Sequence, residues 1–285
     1  MQSKYYRIGG LVWSLTGPEY EDTGHLVQFR CPPAPADHTV EIAVTDRLSV
    51  PDLPLLHRDD YVAHYSDGGR RVRTHDLEYT EELLLIDLEE SRSRRHVTLS
   101  AAGLPYYNAR LAQLVLDLPR QMPKFGGAFL HASYVSTDGG AILFTAPKQT
   151  GKSTQAELWR RCRGAEVVNG DRALVRKANG VWTAFGSPYC GTSDICLDVA
   201  APIRAVVILG QGPENIARPA SVREGLAALL DGLSYDAWDH SQVDAVMALA
   251  EDLICRIPII RLDCRPDEGA VEALEEVLWK NERKR

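Results

Sequence analysis

Along the first hundred residues, apolar and polar positions alternate with a period of two. Val27–Cys31 (VQFRC) and Thr39–Val44 (TVEIAV) read as strands, each offering one face to a core and one to solvent. In Tyr61–His75 (YVAHYSDGGRRVRTH), Asp67-Gly68-Gly69 sits between two alternating arms, which predicts a hairpin. Glu82–Leu88 (ELLLIDL) and His96–Gly103 (HVTLSAAG) read as two more strands, with Arg92-Ser93-Arg94-Arg95 between them as a solvated loop. From Tyr106 to Leu118 the period lengthens. Leu111, Leu114, Val115 and Leu118 fall at helical spacing, and Pro119 and Pro123 close the helix.

Beyond that point, strands and helices interleave. Gly127–Ser136 (GAFLHASYVS) and Ala141–Ala146 (AILFTA) read as strands around a turn at Thr137-Asp138-Gly139-Gly140. A helix follows over 152–163, with Gly164 as its C-terminal cap. Ala165–Asn169 (AEVVN) reads as a buried strand, returning parallel to AILFTA and lying beside it. A hairpin turns at Asn179-Gly180, and Arg204–Gly210 (RAVVILG) is an apolar strand. Helices over 222–231 and 242–254 precede the strand Ile257–Cys264 and a closing helix over 267–280. This order indicates an α/β domain over 121–285, preceded by a β-rich α+β region with a closing helix over 1–120.

The loop between AILFTA and its helix carries the candidate chemistry. Ala146-Pro147-Lys148-Gln149-Thr150-Gly151-Lys152-Ser153 fits the phosphate-loop pattern, with alanine in place of the first glycine. A strand before it and a helix after it supply the right setting. Backbone amides of such a loop form an anion nest, and the helix N-terminus adds partial positive charge. The expected nucleotide contacts are Pro147, Lys148, Gln149, Thr150, Gly151, Lys152, Ser153 and Thr154. Lys152 would place an ammonium on the outer phosphates, and Ser153 would complete a Mg²⁺ shell. Asp171, at the end of AEVVN, can hold the metal or accept a hydroxyl proton, and His131 comes about fifteen residues before the loop. ATP and Mg²⁺ are therefore the expected cofactors. Arg172 and Arg204 are candidate phosphate clamps, with a surface pairing the default for both. Phe185–Ile195 (FGSPYCGTSDI) is a small polar loop that can pass over the nucleotide or acceptor, and Asp194 and Asp198 lie after its GSPYCGTS stretch. Nothing near Cys190 in the sequence activates it as a nucleophile.

Composition narrows the partners. The net charge of −7 gives no support for a nucleic-acid or membrane-surface partner. No stretch approaches the ~18 uninterrupted apolar residues that span a bilayer. The opening MQSKYYRIGGLVW has no long apolar segment, so no signal peptide is expected. The six cysteines form no CxxC pair and read as free thiols of a cytoplasmic protein. Homo-oligomerisation is compatible with the sequence.

The segments LHASYV, APKQTGKST, GAEVVNGDRALVRKANGVW and GSPYCGTS, in this order, resemble the HPr kinase/phosphorylase-like group of the phosphoenolpyruvate-carboxykinase-type P-loop fold. The tail IPIIRLDCRPDEGAVEALEEVL is similar to that group's last strand and helix, so the resemblance runs over 126–278. Residues 1–120 do not resemble the N-terminal domain of true HPr kinases. In style the chain is closer to stand-alone relatives in peptide tailoring, such as lasso-peptide kinases, which phosphorylate a serine hydroxyl. The resemblance implies a Mg-ATP-dependent kinase acting on a hydroxyl of a peptide, protein or small molecule, with Asp171, Lys152 and His131 as catalytic residues and Ser153 and Asp171 at the metal. The group usually carries two aspartates after the loop helix, one for the acceptor and one for the metal. Here the stretch is Asn169-Gly170-Asp171, and only the second is present. That departure leaves a second function open: a nucleotide-binding regulatory or scaffold subunit with little turnover. A carboxykinase acting on oxaloacetate fits less well, because the chain is short and lacks a second metal-ligand cluster.

Overall fold

The computed structural model describes residues 2–21, 24–76, 82–106 and 108–279. The chain divides into two units, Met1–Leu118 and Pro119–Arg285.

The first unit is built on one eight-stranded sheet. Its strands are β1 (Gln2–Ile8), β2 (Leu11–Gly17), β3 (His38–Thr45), β4 (Leu55–Arg58), β5 (Val62–Ser66), β6 (Arg71–Asp76), β7 (Leu83–Ser91) and β8 (Arg94–Ser100), in the order β1-β2-β3-β8-β7-β6-β5-β4. The predicted hairpin is β5–β6, and Asp67 caps its turn by accepting from the amides of Gly69 and Arg70 at 3.0 and 2.7 Å. Two readings change. Val27–Cys31 is not a strand, since Gly24–Phe29 forms a 3₁₀ helix that buries Leu26 and Phe29. The Arg92–Arg95 run is not a solvated loop either. β8 begins at Arg94, and its alternation turns Arg95 to the same buried face as Val97 and Leu99. That charge is matched locally. Arg95 donates to Asp87 at 3.1 Å and to the carbonyls of Val115 and Leu116, while Arg73 meets Asp87 and Asp117, each at 2.9 Å. The predicted 106–118 helix is α1 (Ala109–Leu116), followed by the short α2 (Leu118–Gln121); residue 107 lies outside the described residues.

In the second unit, strands β9 (Gly127–Thr137), β10 (Gly140–Thr145), β11 (Glu166–Asn169), β12 (Arg172–Ala178), β13 (Val181–Phe185), β14 (Ala200–Gln211), β15 (Ile216–Pro219) and β16 (Ile259–Cys264) form a second sheet. Strands β10, β9, β12, β13 and β14 pair in sequence, and β14 returns to pair with β10 in parallel. The twelve residues of β14 allow this: 200–202 pair with β13, 203–208 with β10 and 206–211 with β16. Helices α3 (Lys152–Arg163), α4 (Val222–Gly232), α5 (His240–Arg256) and α6 (Glu268–Leu278) cover it. Alternate residues of β10 serve two cores. Ala141 and Leu143 belong to the cluster with Leu229, Val246 and Leu253 of α4 and α5; Ile142 and Phe144 belong to the one with Trp159 of α3 and Leu274 of α6. Asp267 precedes α6, and residue 280 lies outside the described residues.

One prediction about the sheet is corrected. β11 runs in the same direction as β10 but does not lie beside it. Both pair antiparallel with β9, on its opposite edges, and the parallel neighbour of β10 is β14. β9 takes one edge of β10 and β14 the other, so no edge of β10 is left for β11. No helix among the described residues is long and apolar enough to cross a membrane.

Candidate functional site

The strand ends at β9 explain why the candidate residues meet. Thr145, the last residue of β10, pairs with Ala132, and Asn169, the last of β11, pairs with Tyr134. Both strands therefore finish near His131, from opposite sides of the same strand. The loop after β10 and the turn after β11 both border a cleft of about 1040 Å³ lined by His131, Lys148, Lys152, Ser153, Asp171 and Arg172, among others.

The loop has the backbone its sequence demands. Positive φ falls on Gln149 (64°) and Gly151 (113°) and not on Ala146, so the alanine costs nothing there. Gly151 precedes α3 without a side-chain cap, which leaves the first-turn amides of the helix without side-chain partners and suited to an anion. Thr150 Oγ1 donates to the Pro147 carbonyl at 2.9 Å and holds the loop closed. Lys152 Nζ lies back across the loop and donates to the carbonyls of Ala146 and Pro147 at 2.9 and 3.3 Å. Burial lowers its pKa from the ordinary lysine value; the Asp171 carboxylate opposes that shift and Lys148 adds to it.

Asp171 is held by its neighbours rather than by its own side chain. Asn169 is fully buried, and its Oδ1 accepts from the backbone amides of Asp171 and Arg172 at 3.0 and 2.7 Å. Its Nδ2 donates to the carbonyls of Ser187 and Tyr189 at 3.1 and 3.2 Å. Ser133, from β9, donates to the Gly170 carbonyl at 2.9 Å, and Ser187 to the Arg172 carbonyl at 2.7 Å. The turn's capping work falls to Asn169, so the Asp171 carboxylate is left to face the cleft. There it meets His131 Nε2 at 3.3 Å and Arg172 Nε at 3.7 Å. Burial, helped by Lys152, lowers the His131 pKa below its ordinary value against the pull of Asp171, so the ring is neutral at pH 7.

The turn 191–193 presses on this strand end. Gly191 has φ 57°, and a Cβ there would stand 2.7 Å from Asp171 Cγ. A Cβ on Gly170 would stand 2.1 Å from Ser193 Oγ and 2.3 Å from Ser193 Cβ. The space a side chain at 170 would use is filled by Ser193. Burial raises the pKa of Cys190, at the edge of this turn, above the ordinary thiol value, which leaves it protonated and unreactive.

The other expected residues divide. Gln149, Gly151 and Thr154 border the cleft, Thr150 borders a smaller cavity on the far side of the loop, and Pro147 lies exposed and borders neither. Arg172 is on the cleft, but Arg204 is not: its guanidinium lies 4.4 Å from the Trp279 ring and donates to the Leu278 carbonyl. Asp194 and Asp198 do not line the cleft. The sequence reading missed Asn169, Ser133 and Ser187 as the supports of Asp171. It also missed the far wall, Asp231–Ser234, where Leu233 bridges to Leu130 and the Ser234 amide donates to the Phe129 carbonyl at 2.8 Å. Asn-Gly-Asp after an apolar strand was a usable signal for the first group. The far wall has none, because its contact is to a strand a hundred residues earlier.

The donor set suits Mg²⁺: the exposed Ser153 hydroxyl and the Asp171 carboxylate are hard oxygen ligands on one open cleft with room for water.

No protein-family model matches the sequence, and no curated protein does. Among solved structures, the HPr(Ser) kinase/phosphatase from Coxiella burnetii is similar at 15% identity and a TM-score of 0.32, over 55% of this chain and 90% of that one. At that score the likeness carries no weight for ligand or reaction.

Proposed function

We propose that the second unit is a Mg-ATP-dependent phosphotransferase acting on a hydroxyl group, with a serine-bearing peptide as the preferred class of acceptor. The observation that carries this is the convergence of Lys152, Ser153, Asp171 and His131 on one cleft, where β10 and β11 end against the middle of β9. The peptide acceptor rests on the chain's likeness in style to stand-alone peptide-tailoring kinases, not on the motifs.

In this reading the loop amides and the α3 N-terminus hold the phosphate chain, and Lys152 gives up its loop carbonyls for the outer phosphates. The acceptor hydroxyl enters beside Asp171. Its oxygen bonds to the γ-phosphorus, the bond from that phosphorus to the β-bridging oxygen breaks, and ADP leaves. The hydroxyl proton passes to the Asp171 carboxylate. The neutral His131 ring donates from Nε2 to Asp171 and keeps the carboxylate aimed. Mg²⁺ held by Ser153 and Asp171 would neutralise charge developing on the phosphates. Catalysis is then mainly positioning and charge neutralisation.

A second reading, a nucleotide-binding subunit with little turnover, is favoured by one observation: Ser193 occupies the space beside Gly170 where a second carboxylate would stand. Two variants separate the readings. Mg-ATP at about 100 times its Kd should stabilise the fold by about 2.7 kcal/mol, and Lys152→Ala should abolish the shift in Tm. Asp171→Asn should keep most of the nucleotide binding and lose transfer from γ-labelled ATP to serine peptides by on the order of 10². No thermal shift with nucleotide and Mg²⁺ overturns both readings; nucleotide binding without transfer to any hydroxyl acceptor leaves the second.

A further inference from the structure

Two helix ends of opposite sign meet the large cleft. Lys152 and Ser153, the first residues of α3, line it together with Lys148 and Arg172. Asp231 and Gly232, the last two residues of α4, belong to its far wall. A helix carries partial positive charge at its first turn and partial negative charge at its last. A phosphate chain is therefore drawn to the first wall and repelled by the second.

The far wall is fixed in place. A Cβ on Gly232 would stand 2.9 Å from Leu130 Cδ1 and 3.1 Å from Thr145 Oγ1, so the end of α4 rests on β9 and on the last residue of β10. The segment after it is tied down as well. Asp236 accepts from Gln242 Nε2 at 3.0 Å and meets Arg120 at 2.8 Å. Asp231 is thus held at a set place, next to the strand end from which the phosphate loop departs.

The proposed transfer leaves Asp231 unused. Asp171 and Asp231 are the carboxylates that line the cleft, and Asp171 is engaged by His131 and Arg172. The Asp231 carboxylate is exposed and meets no hydrogen-bond or ion partner among the described residues. It also stands at the unfavourable end of its helix. α4 opens with a full capping box, Ser221 and Glu224, where a carboxylate is favoured, yet it has no basic residue in its last turn. The last turns of α3 and α5 carry arginines instead. A carboxylate at the negative pole of a helix is destabilising, and functional sites are where such local departures are kept.

We propose that Asp231 selects the acceptor by pairing with a positive charge close to its hydroxyl, so that lysine or arginine beside the serine marks the preferred peptide. The inference rests on the phosphotransferase reading above and adds the acceptor's charge to it. A substrate whose hydroxyl reaches Asp171 lies between the phosphate wall and the end of α4. A cation on it neutralises Asp231 and the helix pole together, whereas an acidic neighbour meets both.

The test uses the full chain, Mg-ATP labelled in the γ-phosphate, and three peptides in which both neighbours of the serine are lysine, alanine or glutamate. kcat/KM should be roughly fivefold higher for the lysine peptide than for the alanine one, the scale of one solvent-accessible ion pair, and lower again for the glutamate one. The ranking should narrow as salt is added. Asp231→Asn should remove it, and Asp231→Lys should invert it. Lysine suits the negative pole of a helix, so that variant should fold, and stabilisation by Mg-ATP checks its donor site. A ranking is a ratio within one preparation, so loss of folded protein cannot mimic its inversion. Equal kcat/KM for the three peptides, or the parent ranking kept in Asp231→Lys, overturns the assignment and leaves the phosphotransferase reading standing. An unchanged ranking in Asp231→Asn with a raised Mg²⁺ requirement gives Asp231 to a metal and overturns it too. Transfer to none of the peptides overturns the phosphotransferase reading, and the assignment falls with it.

Discussion

Gly170→Ala should be expensive, and the expense should vanish in a second background. The added Cβ would stand 2.1 Å from Ser193 Oγ and 2.3 Å from Ser193 Cβ. Rotating the hydroxyl away cannot relieve a clash with Cβ, so the whole 191–195 turn must lift. Two hydrogen bonds resist that: Ser193 Oγ to the Cys190 carbonyl at 2.6 Å and the Gly170 amide to the Ile195 carbonyl at 3.3 Å. Losing both at about 1 kcal/mol each, with at least about 1 kcal/mol of overpacking, puts the cost near 3 kcal/mol. Ser193→Gly alone gives up the hydroxyl's two bonds and should cost about 2 kcal/mol. The double variant has no clash and should cost about 2 kcal/mol as well, so the coupling is close to 3 kcal/mol, large for a contacting pair. Hydrogen exchange of the buried amides of β9, β10 and β12 reads the stability of the second unit directly. If Gly170→Ala stays within about 0.5 kcal/mol of the parent, or Ser193→Gly fails to rescue it, Ser193 does not fill that space.

In the first unit, Asp87→Asn removes the carboxylate shared by Arg73 and Arg95 and should cost about 3–5 kcal/mol; exchange of the β7 and β8 amides checks it, and parent-like protection would show the network to be dispensable. His75 is pushed down to about 3, first by burial and then by Arg73, while an unfolded histidine titrates near 6.5. Between those values the unfolded chain binds a proton that the folded one refuses, so stability is full above about 6.5 and falls by up to about 1.4 kcal/mol per pH unit below it. His75→Gln should flatten the stability of this unit between pH 5 and 7, and an unchanged slope there would mean that His75 takes up its proton in the fold. At the cleft, the lowered pKa of His131 predicts that kcat/KM holds through pH 6.5 and falls only at lower pH, and an inflection at 6.5 that disappears in His131→Asn would contradict the burial of that ring.

Periodicity made the second unit's local structure legible and left its connectivity obscure. The helix over 152–163 and its cap at Gly164 (φ 66°) stand where the pattern predicted them, as does the hairpin turn, with Asn179 at φ 49° and Gly180 at 81°. Each depends on neighbours within a few residues. The placement of β11 did not, because a strand's edge partner is set by which edge is free, and the β9–β10 hairpin had already taken one. Arg95 shows another limit. A run of arginines reads as solvated because burying a charge is costly, yet the period-two register of Val97 and Leu99 carried the truth about its direction. The compensating carboxylates, Asp87 and Asp117, come from elsewhere in the fold and could not be paired from sequence alone. The loop's own residues were readable from their pattern, whereas the far wall at 231–234 was not.

The support of Asp171 bears on what a side chain at position 170 would do to the site. The bonds that fix the turn use the backbone of residues 170, 171 and 172, and they are made by Asn169, Ser133 and Ser187. None involves a side chain at 170. The geometry of Asp171 is therefore independent of what residue 170 is, provided the turn above can accommodate it. Gly191 belongs to the same logic, since a side chain there would strike Asp171 itself. A turn that comes this close to both positions excludes a carboxylate at 170 while leaving the one at 171 aimed at the cleft. Residues 170 and 193 are thus coupled, and Gly170→Asp alone would add a charge with nowhere to stand. With Ser193→Gly, the same aspartate would gain room beside Asp171, two carboxylates would share one end of the cleft, and Lys152 would face both.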